Sequence, residues 1–273
     1  MLKLYKAANS ICTHKVLITL AHKGLSFDTQ DIDLFRNEQF SPSYLAINPK
    51  GVVPALDHDG QVVTESTLIC EYLDETFPAP LALIPTAPYA RTLMRKWSKL
   101  VDEKLFEATR ELSFSAMFRE KMRAMTQDQR EGRFRNVGDP DKRARFMSTY
   151  ELGVESPYVY QAVANYELAF REMEKALKTS GSGWLVGSGM TLADVNMMPF
   201  VARLAYLNLL EIWTAARPLT REWWSRAQTL PSFQTAVRAP MTAPESDAMA
   251  TFGSKISDRV AAHRATYLAA HVA

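Results

Sequence analysis

Ser10 and Cys12 are the first residues of the chain whose chemistry stands out, a hydroxyl and a thiol two positions apart. They sit between an alternating apolar run, Leu2-Lys3-Leu4-Tyr5, and a segment in which Val16, Leu17 and Leu20 recur at helical spacing. A hydroxyl at such a strand-to-helix junction can donate to an anion, and a helix N-terminus with His14 and Lys15 nearby depresses a thiol's pKa. In Asn48-Pro49-Lys50-Gly51-Val52-Val53-Pro54-Ala55-Leu56, Pro54 removes a ladder donor where a strand should begin and holds Val53 extended. A cis Val53-Pro54 bond resolves this and leaves the Val53 N–H and C=O open to an extended peptide backbone; an ordinary edge-strand proline is the alternative. Thr64-Glu65-Ser66-Thr67 opens a helix, where the Ser66 N–H and hydroxyl can take a carboxylate and Glu65 an ammonium. Together they match the head group of an α-amino acid, whereas plain capping would explain Ser66 and leave Glu65 without a role.

These residues need a small β-rich scaffold, and the pattern supplies one. The first strand is followed by a helix over residues 13–22 with a Lys23-Gly24 stop, and a second strand is expected over 27–34. A short helix fits within 35–46. Strands over 52–57 and 61–64 flank Asp59-Gly60, a strong hairpin signal, and Leu68, Ile69, Tyr72, Leu73 and Phe77 form one stripe of a further helix. Four prolines between 78 and 88 read as a stiff linker, and strand signals then vanish. The expected division is a domain over 1–80, a linker over 81–88 and an all-helical domain over 89–273. Thr191-Leu192-Ala193-Asp194 has capping-box spacing before an apolar run. Residues 119–145 carry nine basic side chains and read as a surface hairpin or mobile excursion, and a last helix over 252–270 reads as an appendage.

Composition narrows the partners. Lys and Arg total 32 against 30 for Asp and Glu, which gives no field strong enough for nucleic acid or membrane as the main partner. No apolar stretch is long enough to span a bilayer, and two cysteines with no leader pattern fit a reducing cytoplasm. Cys70 falls on the apolar stripe of its helix and reads as core. His14, His22 and His58 have no metal-ligand spacing, so no metal is expected.

Along nearly its whole length the chain resembles the glutathione S-transferases: a strand-Ser-helix start, Asn48-Pro-x-Gly-x-Val-Pro-Ala-Leu56, Asp59-Gly60, Thr64-Glu-Ser66, a proline linker, then helices. The runs His58-Asp-Gly-x-Val-Val-Thr-Glu-Ser-Thr-x-Ile-Cys-Glu-Tyr-Leu73 and Met94-Arg-x-Trp-x-x-x-Val-Asp-Glu103 are most similar to the bacterial β-aryl etherase branch, which cleaves lignin-derived ethers with glutathione. The resemblance implies an α/β thioredoxin-like N-terminal domain joined to an all-α C-terminal domain. It further implies glutathione as co-substrate, with Val53, held before the cis Pro54, pairing its cysteinyl backbone and Glu65 and Ser66 holding its γ-glutamyl end; Asn9 and Lys50 are further candidate contacts. A homodimer is the family's usual assembly.

Glutathione's thiol has a pKa of about 8.5, and lowering it by about two units takes roughly 2.7 kcal/mol, within reach of one hydroxyl and a helix N-terminus. Ser10 is placed for this. Cys12 resembles the cysteine of relatives that form a mixed disulfide with glutathione, the reductive dehalogenases and glutathione-conjugate lyases, so a Cys12-dependent reaction is the alternative. A glutathione-fold binding module without turnover is the third reading. The acceptor is expected to be a small hydrophobic, aromatic electrophile in a cleft between the domains, against Phe114, Met117 and Phe118, with Tyr158 and Tyr160 as weaker additions.

Overall fold

The structure, a computed structural model, describes residues 1–271. It divides into two compact units: one of Met1–Lys99, Leu177–Pro199 and Glu222–Met241, the other of Leu100–Ala176, Phe200–Arg221 and the chain from Thr242 onward.

The first unit opens with β1 (Leu2–Lys6), α1 (Ile11–His22), β2 (Asp28–Asp31), the short α2 (Pro42–Leu45), β3 (Ala55–His58), β4 (Gln61–Thr64) and α3 (Ser66–Thr76). The sheet order is β2-β1-β3-β4, with β2 parallel to β1 and the other pairs antiparallel, the mixed sheet of a thioredoxin-like domain. Alternation explains the central strands: Leu4 pairs with Leu56 and both are buried. β2 is half the expected length and exposed at every position; its aspartates sit at the sheet edge, where charge discourages further pairing. The hairpin forms at Asp59-Gly60, where both residues have positive φ, 52° and 86°, as a two-residue type I′ turn requires. α1 packs on α3, burying Val16, Ile18 and Leu20 with Ile69, Cys70 and Leu73.

The proline linker is fastened by a buried ion pair. Lys23 Nζ donates to Asp74 Oδ1 at 2.8 Å and to the Leu81 carbonyl at 2.9 Å. Asp74 also accepts the N–H groups of Leu83 at 2.9 Å and Ile84 at 2.8 Å. The Leu192 N–H in turn donates to the Leu83 carbonyl. Leu192 is the first residue of a helix named below, and half of the expected capping box stands at its start: Asp194 reaches back to the Thr191 N–H, but the threonine hydroxyl takes the second helical amide rather than the third. Thr191 Oγ1 accepts from the Ala193 N–H, and Asp194 accepts from the Thr191 N–H, the Leu185 N–H and Trp223 Nε1. Burial pushes the Asp194 carboxyl up to about 6 against the pull of these donors.

From Pro88 the chain is helical: α4 (Pro88–Leu100), α5 (Phe106–Ser113), α6 (Arg119–Arg123), α7 (Gln127–Asn136), α8 (Pro140–Leu152), α9 (Pro157–Ser180), α10 (Leu192–Tyr206), α11 (Glu211–Thr214), α12 (Pro218–Thr229), α13 (Pro231–Phe233), α14 (Ala243–Ser254) and α15 (Ser257–His271). Five-residue π-helical segments lie at Val101–Leu105, Phe114–Phe118 and Gln234–Arg238.

The basic stretch 119–145 forms α6, α7 and the start of α8, with α7 and α8 making a surface helical hairpin, and Arg119, Arg130 and Arg143 close helix ends. Helix C-termini leave carbonyls without intrahelical partners. Arg119 donates to the Tyr150 and Glu151 carbonyls at the end of α8. Arg130 does the same for Arg123 and Met125 after α6, and Arg143 for Arg135 and Val137 after α7. Phe134, Phe146, Tyr150 and Phe114 stack edge to face between these helices. The C-terminal segment is likewise two helices rather than one appendage, and α15 is held down by His263 on the Val154 carbonyl, Arg259 on Glu155 and Arg264 on buried Glu167.

Candidate functional site

The glutathione-facing residues expected from the sequence all belong to the first unit. Ser10 is the N-cap of α1: its Oγ accepts the Thr13 N–H at 3.2 Å, and its own N–H donates to the Ala7 carbonyl at 3.1 Å. The cap uses a lone pair of the hydroxyl and leaves its hydrogen available to donate. Among the described residues no protein acceptor takes that hydrogen. Ala7 packs in one apolar cluster with Tyr5, Tyr44, Val53 and Ala55, so the Ser10 turn and the Val53-Pro54 turn rest on the same core.

Cys12 lies in the first turn of α1 and is half-buried; Asn9 is exposed just before it. The neighbouring basic residues also make contacts of their own. His14 Nε2 bonds the Ala8 carbonyl at 2.9 Å, and Lys15 is fully buried with its Nζ 2.5 Å from the Thr67 hydroxyl. Lys15 therefore ties α1 to the first turn of α3 and points its charge there. Cys70 is in the core, as its apolar stripe implied.

The Val53-Pro54 bond is cis. Val53 stands outside the ladder, which begins at Ala55 paired with Tyr5, and its N–H and C=O meet no protein partner among the described residues. The preceding Val52 carbonyl is taken by two side chains, Tyr44 Oη at 2.7 Å and Asn48 Nδ2 at 2.8 Å. Gly51 has φ 60°, and a Cβ there would lie 2.8 Å from the Phe40 ring, so glycine is required at that turn.

At the start of α3 the N-cap is Glu65 rather than Ser66, which is the first helical residue and nearly buried. Glu65 has φ 69° and ψ 109° and makes no capping bond with its side chain. A positive φ at a non-glycine residue costs of the order of 1–3 kcal/mol and tends to persist at binding sites. The plain-capping alternative for Ser66 does not hold, and the first-turn N–H groups receive nothing from their own N-cap side chain. Glu65 Oε1 accepts from Lys50 Nζ at 2.6 Å, with both side chains at least half exposed. Lys50 and Glu65 thus meet over the helix start, and Glu65 keeps its second oxygen for another cation.

In the second unit, Phe114, Met117 and Phe118 fall in the π-helical segment after α5, with Phe114 and Met117 nearly buried and Phe118 half-exposed. Tyr158 lies under the Arg145 guanidinium at 4.6 Å, and Tyr160 packs edge-on to His263. Arg145 also pairs with Glu111 at 2.8 Å, a carboxyl that burial pushes up to about 7 despite the arginine. Sequence spacing gave no sign of this pair, whose members lie 34 residues apart. Among the described residues no group of three or more His, Cys, Asp and Glu side chains is arranged to hold a metal, and no helix is long and apolar enough to cross a membrane.

A sequence model of the glutathione S-transferase N-terminal domain matches residues 9–76, and one of the C-terminal domain matches 128–224. The chain is 34% identical to Protein LigF of Sphingobium sp. strain SYK-6 over 196 residues, 71% of this chain and 75% of that one. The chain belongs to the glutathione S-transferase family. It is also 28% identical to the maleylacetoacetate isomerase of Rattus norvegicus, over 73% of this chain and 76% of that protein. Among solved structures, the β-etherase LigF from Sphingobium sp. strain SYK-6 superposes with a TM-score of 0.74 at 29% identity, covering 87% of this chain and 99% of that one. As a member of this family the chain is a glutathione-dependent enzyme, with the thioredoxin-like and helical domains its sequence announced.

Proposed function

We propose that the first unit binds glutathione with its γ-glutamyl end at Glu65 and Ser66 and its cysteinyl backbone on Val53, and that Ser10 donates to the thiolate. The observation that carries this reading is the state of the Ser10 hydroxyl, fixed as an acceptor by the Thr13 N–H while its hydrogen is free. A donor so held is preorganised for an anion at the N-terminus of α1. The thiolate attacks an electrophilic carbon; a C–S bond forms and the bond to the leaving group breaks, releasing a phenolate or halide with its electron pair. The similarity to a protein named as a β-etherase makes an aromatic β-aryl ether the first acceptor to test, with Phe114, Met117 and Phe118 as the proposed acceptor contacts.

Cys12 supports a second reading, because a half-buried thiol in the first turn of α1 sits in the same helix field. A glutathione-dependent screen of β-aryl ethers, chloroarenes and glutathionyl ketones on the wild type, Ser10→Ala and Cys12→Ala separates them. Loss of turnover in Ser10→Ala alone supports thiolate activation by serine. Loss in Cys12→Ala alone assigns the enzyme to the thiol-disulfide group. Glutathione binding with no turnover of any acceptor would indicate a binding module. A homodimer in a cytoplasmic setting completes the proposal, and light scattering reads the assembly.

A further inference from the structure

The peptide unit between Val52 and Val53 is held at one end only. It is trans, so its C=O and N–H point in opposite directions, and fixing the carbonyl fixes the direction of the amide hydrogen. Tyr44 Oη and Asn48 Nδ2 both donate to the Val52 carbonyl, from side chains that are 2% and 1% exposed as whole residues. Each donor is itself constrained. Asn48 Oδ1 accepts the Lys50 N–H at 3.2 Å, which leaves its Nδ2 to face Val52, and the Asn48 N–H donates back to the Tyr44 carbonyl at 2.8 Å. The Tyr44 ring packs against Tyr5 of β1, and burial pushes its phenol up to about 12, so it stays a protonated donor at neutral pH. Two donors on one carbonyl also polarise the amide at the other end, making its N–H a stronger donor.

We infer that Tyr44 and Asn48 are positioning residues that aim the Val53 N–H at the cysteinyl carbonyl of bound glutathione. This rests on the glutathione reading above and adds the device that orients its central peptide. Neither side chain touches the ligand in this scheme. Their effect passes through the Val52-Val53 peptide, and it depends on the ligand having a carbonyl to receive the hydrogen.

The test compares glutathione with γ-glutamylcysteamine, which keeps the γ-glutamyl head and the thiol but has no cysteinyl carbonyl. Calorimetric Kd values are measured for both on the wild type, Tyr44→Phe and Asn48→Ala. Tyr44→Phe keeps the ring and leaves Asn48 on the Val52 carbonyl, so no buried acceptor is orphaned; if it fails to fold, Asn48→Ala carries the same comparison with Tyr44 intact. Loss of one orienting hydrogen bond should weaken glutathione by roughly three- to tenfold. γ-Glutamylcysteamine should change by less than about twofold, an effect a general loosening of the loop would not produce. Equal weakening of both ligands, or no change for glutathione, overturns the inference. A wild type that fails to bind glutathione at all overturns the underlying reading instead.

Discussion

Replacing Ser10 by alanine removes two things at once, and the structure separates them. The Oγ accepts the Thr13 N–H at 3.2 Å as the N-cap of α1, and its loss should cost about 1 kcal/mol, or about 2–4 °C in Tm for a chain of this size. The hydroxyl hydrogen is the proposed donor to the thiolate. Hydrogen bonds to charged groups contribute about 1.5–3 kcal/mol, which corresponds to about one to two pKa units of the bound thiol. The assay is thiolate absorbance of the glutathione complex against pH. With a wild-type thiol lowered about two units from 8.5, the anion persists down to about pH 6.5, while in Ser10→Ala it should be lost below about pH 8. The sign follows: the fold deficit in rate is greatest at and below about pH 6.5, roughly ten- to a hundredfold, shrinks as pH rises toward about 8, and closes above about pH 9. Ser10→Thr, which keeps cap and donor, should titrate like the wild type. An unchanged thiol pKa in Ser10→Ala, with only the small fall in Tm, would leave Ser10 as a cap alone.

Other outcomes follow from the scaffold. Asp74→Ala strands the fully buried Lys23 ammonium and two linker N–H groups, so stability should fall by about 3–5 kcal/mol in chemical denaturation, whereas Lys23→Met/Asp74→Leu should recover much of it. Thr191→Ala should cost about 1 kcal/mol while leaving glutathione affinity unchanged, and an unaltered denaturation midpoint would contradict the capping role. Glu111 has its folded pKa raised to about 7 from 4.5, so its favourable contribution is fully present below pH 4.5 and lost as pH rises through 7. Relative to Glu111→Gln, the wild type should therefore lose about 3 kcal/mol between those limits, measured as denaturation midpoints against pH. A pH-independent difference would show that Arg145 fully offsets the burial.

Much of the N-terminal unit was legible because its signals are local. Asp59-Gly60 dictates its turn, and alternation around Leu4 and Leu56 dictates the central strands. Val53-Pro54 stands out through the conflict a proline poses for a strand, and Glu65-Ser66 through the match of a helix start to an α-amino acid head group; both have irregular backbone in the fold. What escaped was non-local. The short β2 depends on sheet-edge position, the Lys50 to Glu65 pair on a turn folding back, and the role of Tyr44 on a carbonyl eight residues later. The arginines of 119–145 illustrate the limit from the other side: their charge was plain, but their use on helix ends depended on tertiary partners up to 32 residues away. Lys15 is the same case, since a basic residue beside Cys12 in sequence points to Thr67 in space.

Calorimetric titration of glutathione into wild type and Glu65→Gln reads whether glutathione docks on the start of α3. Glutamine preserves the side chain's size but removes the charge that would face the ligand's ammonium, so binding should weaken by roughly tenfold or more while Tm stays within a few degrees of the wild type. Equal affinity in the two proteins would contradict this docking.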